Sequence, residues 1–245
     1  MNIKKISNKQ GVNKIDLSRI PDTDLPPIKD DFRETFQWRI FRIMAEFVEG
    51  FQFVADFKDA VTVFGASSFG ETNPHYKKAQ RFGELLARNN FSVITGGGPG
   101  IMEAANRGAY EAEGNSIGIN IQLEEGERAN KYLRESIGFY YFFTRKVMLS
   151  FAHSGYVFFP GGFGTLDEFF EVITLIQTKK MTVRGPVIAV GIDFWEPLFK
   201  WLKDELCHKY QTIKGENLDI FTLVDTPEEA FEIIKDYKDN GNKEK

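Results

Sequence analysis

A single cysteine, Cys207, stands in 245 residues. That excludes a disulfide framework and fits a reducing compartment, so a cytoplasmic protein is expected. Histidine is scarce too. His75, His153 and His208 are scattered and Cys207-His208 is an isolated pair, so no usual metal-ligand spacing is present and no metal is expected. No apolar run approaches the roughly 18 residues of a membrane span. Residues 1–21 carry Lys4, Lys5, Lys9 and Lys14 without an apolar segment, so neither a signal peptide nor a membrane partner is expected. Basic charge is not in excess, with 31 Lys and Arg against 35 Asp and Glu, a net charge of −4 and a pI near 5.6. Nucleic acid is therefore not an expected partner. Internal repeats, low-complexity segments and a Gly-x-Ser-x-Gly nucleophile elbow are all missing.

What the chain does have is a 42% hydrophobic content with 24 phenylalanines, enough for a large aromatic-rich core. Its length suits one α/β domain with an extension. Residues 1–30 are polar with Pro21, Pro26 and Pro27 and read as an irregular arm. Phe32, Phe36, Ile40, Ile43, Phe47, Phe51 and Val54 then recur at steps of three and four, widened by Phe41, Met44 and Val48. This predicts an amphipathic helix that must pack on the main domain or on another subunit. The division expected is an N-terminal arm and amphipathic helix over 1–56 and a Rossmann-like domain over 57–245.

From residue 57 strands and helices alternate. Strands are predicted at Ala60–Phe64, Phe91–Ile94, Ser116–Ile121, Gly138–Phe143, Gly155–Phe159, Pro186–Val190 and Ile220–Val224. The helices between them include one capped by Asn73-Pro74, one opened by Thr144-Arg145-Lys146, one from Leu166 to about Thr178, one over Phe194–Glu205 and one over Pro227–Tyr237. Residues 122–136 read as a charged loop and 238–245 as a polar end. The alternation argues for an α/β fold: a Rossmann-like, doubly wound parallel sheet with helices on both faces and an N-terminal helical extension.

Two glycine turns follow strands, and so lie on the edge where such sheets bind ligands. Gly96-Gly97-Gly98-Pro99-Gly100 is not a dinucleotide fingerprint, because Ile101 stands where the third glycine belongs and no acidic residue follows near Asn120. Nor does it end in the Gly-Lys-Ser/Thr of a P-loop. A mononucleotide or sugar phosphate remains compatible. Pro160-Gly161-Gly162-Phe163-Gly164-Thr165-Leu166-Asp167-Glu168 compresses a strand end, a turn and a helix N-terminus into nine residues. Main-chain N–H groups at such a turn favour an anion, and Glu168 adds a carboxylate. Thr165-x-x-Glu168 also reads as a capping box. Ser67 and Ser68 can bond a ligand or their own loop, and Arg145 can grip a phosphate or lie on the surface beside Lys146. Glu168 and Glu171 share one helix face.

Gly96 to Ala104, Arg145-Lys146 and Pro160 to Glu168 together resemble the "lonely guy" family, with 23 residues from Arg145 to Glu168. The likeness spans roughly residues 58–225. It implies a phosphoribohydrolase that splits the N-glycosidic bond of a nucleoside 5′-monophosphate, AMP or a cytokinin riboside monophosphate, into free base and ribose 5-phosphate. Glu168 and Arg145 would be catalytic, and Gly161, Gly162, Gly164 and Thr165 would hold the 5′-phosphate. Gly97, Gly98 and Gly100, with Ser67 and Met102, would complete the pocket, and Lys146 and Glu171 join the substrate-binding set. Neither a metal nor an organic cofactor is implied, and homodimers or higher homo-oligomers are. The family was long labelled lysine decarboxylase, yet nothing in the residues suggests a pyridoxal phosphate site. Small plant members tend to have glycine where this chain has Glu103. Some relatives on this fold carry a ligand such as molybdenum cofactor without cleaving anything, which is the alternative reading.

Overall fold

The structure, a computed structural model, describes residues 36–122, 129–151, 154–181 and 185–241. The expected polar arm, Phe32, residues 123–128 of the expected loop and the last four residues lie outside them. The chain divides into two compact units, Met1–Arg39 and Ile40–Lys245. Of the first, only the opening residues of helix α1 (Phe36–Ala55) are described. The second holds β1 (Ala60–Phe64), α2 (Pro74–Arg88), β2 (Ser92–Thr95), α3 (Ile101–Glu111), β3 (Ser116–Ile121) and β4 (Glu135–Phe139). There follow α4 (Phe142–Leu149), β5 (Gly155–Phe158), α5 (Phe163–Gln177), β6 (Val187–Val190), α6 (Ile192–Trp201), β7 (Phe221–Val224) and α7 (Pro227–Gly241).

The seven strands form one parallel sheet in the order β4-β3-β2-β1-β5-β6-β7. Val61 pairs with Val93 on one side and Gly155 on the other. The chain therefore winds outward from β1 in one direction, then returns and winds outward in the other. The switch point lies between β1 and β5, where ligands enter sheets of this kind.

The strands are apolar throughout because both faces are covered. Val61, Val63, Val157, Ile188 and Val190 turn to one face and pack with Phe82 and Leu86 of α2, Ala105 of α3 and Ile234 of α7. Ala60, Phe64, Tyr156, Phe158 and Ala189 turn to the other and pack with Val54 of α1, Met148 and Leu149 of α4, Phe169 of α5 and Trp195 of α6. α1 approaches closely because residue 50 is glycine; a Cβ there would stand 2.7 Å from Met148 Sδ and 2.9 Å from Phe139. The predicted stripe of α1 is split. Phe47 and Val54 pack inward, joined by Phe53 from outside the stripe, whereas Phe36, Ile40, Phe41, Met44, Val48 and Phe51 are exposed.

Several boundaries differ from the sequence reading, four of them instructively. The strand predicted over 138–143 is shifted: β4 takes Glu135 and Ser136 from the expected loop and stops short of Tyr140. β4 ends at Phe139, whose ladder partner Ile121 is the last residue of β3, and Tyr140, Phe142 and Phe143 are exposed. α5 begins three residues before Leu166, with Gly162 as its N-cap and no side-chain cap bond. Thr165 therefore lies inside the first turn and the capping box does not form. α6 passes into π-helical turns over Leu202–Lys209, beyond the expected end at Glu205. α7 continues past Tyr237 to Gly241.

Candidate active site

Three loops meet at the carboxyl end of β1, β2 and β5. Ala66, in the loop after β1, donates its N–H to Pro160 O at 3.0 Å and accepts Ile101 N–H at 2.9 Å. One residue thus ties both glycine turns to the first strand. Gly100 makes the contact possible. Its φ is +74°, and a Cβ there would stand 2.2 Å from Ala66 O, so both its conformation and its space exclude other residues.

A buried polar network shapes the first glycine turn. Thr95 Oγ1 donates to Asn106 Oδ1 (2.5 Å) and accepts Gly97 N–H (2.9 Å). Asn106 Nδ2 donates to Ser116 Oγ (2.9 Å). Asn130 Nδ2 reaches Gly97 O (3.2 Å), Gly98 O (3.1 Å) and Asn106 Oδ1 (3.0 Å). Asn106 has no exposed surface, so these bonds replace the water it has lost. Sequence reading missed Asn106 and Asn130. For Asn106 the available signal was an amide on a helix face otherwise made of Ile101, Ala104, Ala105, Gly108 and Ala109.

α4 delivers Arg145 and Lys146. Arg145 Nε donates to Ile119 O (2.7 Å) and Nη2 to Gly96 O (3.3 Å). The guanidinium therefore spans the ends of β2 and β3 rather than lying on the surface. Lys146 Nζ sits 2.8 Å from Asp167 Oδ2 and 2.9 Å from Glu171 Oε2. Burial pulls its pKa down, but these two carboxylates outweigh it and push the ammonium up to about 12.

α5 delivers Glu168. Its first bond back within the helix is Leu166 N–H to Gly162 O (3.1 Å), and the amides before that have no intrahelical acceptor by geometry. Glu168 lies in the second turn, not the first, and is 9% exposed. Burial raises its carboxyl pKa to about 7; Lys146 and Arg145 pull the other way, and Glu171 and Asp167 add to the rise. Glu168 Oε2 is buried and meets no hydrogen-bond partner among the described residues.

These groups surround a cleft of about 440 Å³. Ser67 and Met102 line it from the β1 and β2 sides, Arg145 and Lys146 from α4, and Gly162, Gly164, Thr165 and Glu168 from α5. A Cβ added at Gly162 or Gly164 would meet nothing within 4 Å, so the protein's own packing does not demand glycine there. The remaining expected residues stand behind the wall. Gly97, Gly98 and Gly100 are buried in the turn, Gly161 abuts Thr165, and Glu171 is held by Lys146. Phe142 and Phe163 line the cleft without having been foreseen. Phe163 is 93% exposed. Glu103 faces α2 and accepts the Tyr76 hydroxyl at 3.2 Å. Among the described residues, no group of three His, Cys, Asp or Glu side chains is arranged to hold a metal, and no helix is long and apolar enough to cross a membrane.

Residues 102–234 match a family model described as "Possible lysine decarboxylase". A protein of Oryza sativa subsp. japonica named "Probable cytokinin riboside 5'-monophosphate phosphoribohydrolase" is 27% identical over 186 residues, covering 75% of this chain and 75% of that protein. A cytokinin riboside 5'-monophosphate phosphoribohydrolase of Rhodococcoides fascians is 28% identical over 147 residues, 59% of this chain and 74% of that protein. Among solved structures, the molybdenum cofactor binding protein of Rippkaea orientalis aligns with a TM-score of 0.54 at 22% identity, over 72% of this chain and 94% of that one. The molybdenum cofactor carrier protein of Chlamydomonas reinhardtii aligns with a TM-score of 0.54 at 18% identity, over 74% and 98%. These two likenesses carry the fold alone.

Proposed function

The chain belongs to the family described as possible lysine decarboxylase, the lonely guy family, and on that premise we propose that it hydrolyses a nucleoside 5′-monophosphate, AMP or a cytokinin riboside monophosphate. Water adds to the ribose C1′, the N-glycosidic bond breaks, and the free base and ribose 5-phosphate leave. The observation that carries this reading is a buried carboxylate, Glu168, on the wall of a cleft that also holds Arg145 and the glycine-rich start of α5.

Each group has a role that its surroundings suit. The amides at the start of α5, which have no intrahelical acceptor, donate to the 5′-phosphate, and the open faces of Gly162 and Gly164 leave room for it. Phosphate binding, remote from the bond that breaks, positions the ribose. Phe142 and Phe163 offer aromatic faces to a base. The transition state resembles an oxocarbenium ion. Glu168 stabilises that cation or removes a proton from the attacking water, and a pKa near 7 suits proton transfer at neutral pH. Arg145 balances charge as the bond breaks and orients a substrate whose binding energy comes chiefly from its phosphate. The family's decarboxylase description fits these residues poorly. Lys146, the lysine on the wall, is held as an ammonium by two carboxylates, whereas a Schiff-base lysine needs its pKa lowered.

The assay is ribose 5-phosphate release from AMP, GMP, CMP and a cytokinin nucleotide, with Glu168→Gln as control. Release by the wild-type protein, lost in a variant that still binds nucleotide, is expected. Full activity in Glu168→Gln overturns the assignment. Thermal stabilisation by nucleotides with no product from any of them supports a carrier instead.

A further inference from the structure

We infer that Glu46, in the N-terminal helix α1, is a positioning residue for the active-site helix α4; the inference rests on the role given above to Arg145. α4 has no cap of its own, since Tyr141 occupies its N-cap position and makes no side-chain cap bond. Glu46 supplies the cap from a distant part of the chain. Its Oε1 accepts Tyr140 N–H at 2.8 Å, and its Oε2 accepts Tyr141 N–H at 3.3 Å and the Thr144 hydroxyl at 2.6 Å. The side chain is buried, so these bonds are what compensates its removal from water. A carboxylate at a helix N-terminus also opposes the positive end of the helix dipole.

The connection to the cleft is one residue long. Thr144 is followed by Arg145, whose guanidinium is fixed at its far end by Ile119 O and Gly96 O. Glu46 fixes the backbone end. Arg42, one turn earlier in α1, lies 4.0 Å from Glu46 and 3.8 Å from the Tyr140 ring centroid, so the approach of α1 to this corner involves more than one contact. α1 precedes residues 102–234, the part that matches the family model. An element outside that part therefore orients a residue of the site.

The test compares Glu46→Ala and Glu46→Gln with wild type by nucleotide hydrolysis and by amide hydrogen exchange. In Glu46→Ala, kcat falls roughly 10- to 100-fold, as expected of a displaced catalytic group. KM stays within about 3-fold, because the start of α5 is untouched. Exchange accelerates over Tyr140–Arg145, first at the Tyr140 and Tyr141 amides that lose their acceptor, and not in α5. Glu46→Gln keeps one acceptor oxygen and places an amide against the Thr144 hydroxyl, so it recovers most of the kcat. A folded Glu46→Ala with wild-type kcat and unchanged α4 exchange overturns the inference, as does a loss confined to KM. If Glu46→Ala does not fold, Thr144→Val decides, since it removes one of the three bonds and should show the same local exchange and kcat loss in milder form. If the wild-type protein releases no ribose 5-phosphate, the hydrolase reading fails separately. The α4 exchange pattern, with nucleotide-dependent melting as a second readout, still decides the role of Glu46.

Discussion

Glu168→Gln should stabilise the protein while abolishing its chemistry, and the size of the gain should depend on pH. The carboxyl pKa rises from an ordinary 4.5 to about 7, chiefly because the group is buried. The folded state therefore binds a proton more tightly than the unfolded state. Wild-type stability is undiminished below the unfolded pKa and falls as pH rises from about 4.5 to about 7, then levels off. That gap of about 2.5 pH units, at roughly 1.36 kcal/mol each, amounts to about 3 kcal/mol carried as the cost of the ionised group. Glutamine is isosteric and never ionises. At pH 8 the variant should melt roughly 6–12 °C higher, at about 2–4 °C per kcal/mol for a chain of this length. At pH 5 the gain should shrink below about 1 kcal/mol. The assay is thermal melting of both proteins from pH 5 to 8, beside turnover on AMP, where a loss of roughly 10²–10⁴-fold is expected. A variant no more stable than wild type at pH 8, or equally stabilised at pH 5, would refute the reasoning, because Glu168 would then be a satisfied structural partner of Lys146 and Arg145.

Three further outcomes follow from the same geometry. The pH profile of kcat/KM should rise with a single ionisation near 7, where Glu168 loses its proton, and that limb should vanish in Glu168→Gln; a limb that persists assigns it to another group. Gly164→Ala, inside the first turn of α5 with open space around the added methyl, should raise stability by about 0.5–1 kcal/mol yet weaken ribose 5-phosphate binding at least 10-fold; unchanged affinity would remove the phosphate from this turn. Asn106→Ala should cost about 2–4 kcal/mol in urea unfolding, because it strands Thr95, Ser116 and Asn130 in a buried network; a cost near zero would mean that water replaces the amide.

Glycine made much of the site legible. Both turns could be located from sequence because a run such as Gly96–Gly100 reports a backbone requirement directly, and alternation of apolar strands with helices gave the parallel sheet. Side-chain function was harder to read. Thr165-x-x-Glu168 has the spacing of a capping box, yet the cap falls three residues earlier, and local spacing cannot say where a helix starts. Lys146 and Glu171 were read as facing substrate; Lys146 does line the cleft, but the two are also paired across α4 and α5, which spacing along the chain does not reveal. The run Tyr140–Phe143 has strand-forming residues, but the β3–β4 ladder ends at the Ile121–Phe139 pair and Phe142 already opens α4. Glu46 left no trace at all. Its partners lie 94 to 98 positions away, and a glutamate in an apolar helix looks like any solvated one until α4 is folded against it.

The neighbours of β1 also set a schedule for biosynthesis. A ribosome completes β1, β2 and β3 well before β5, yet β1 pairs with β5 along one whole edge. Until β5 emerges, Val61, Val63 and Phe64 belong to a strand with an open edge, which is a template for wrong partners. The cleft cannot be complete before α5 follows, since a third of its lining residues, Glu168 among them, are placed there. Nascent chains stalled just before Gly155 should therefore bind no nucleotide and should recruit holdase chaperones, whereas chains stalled once Gln177 has cleared the exit tunnel should bind nucleotide and release them.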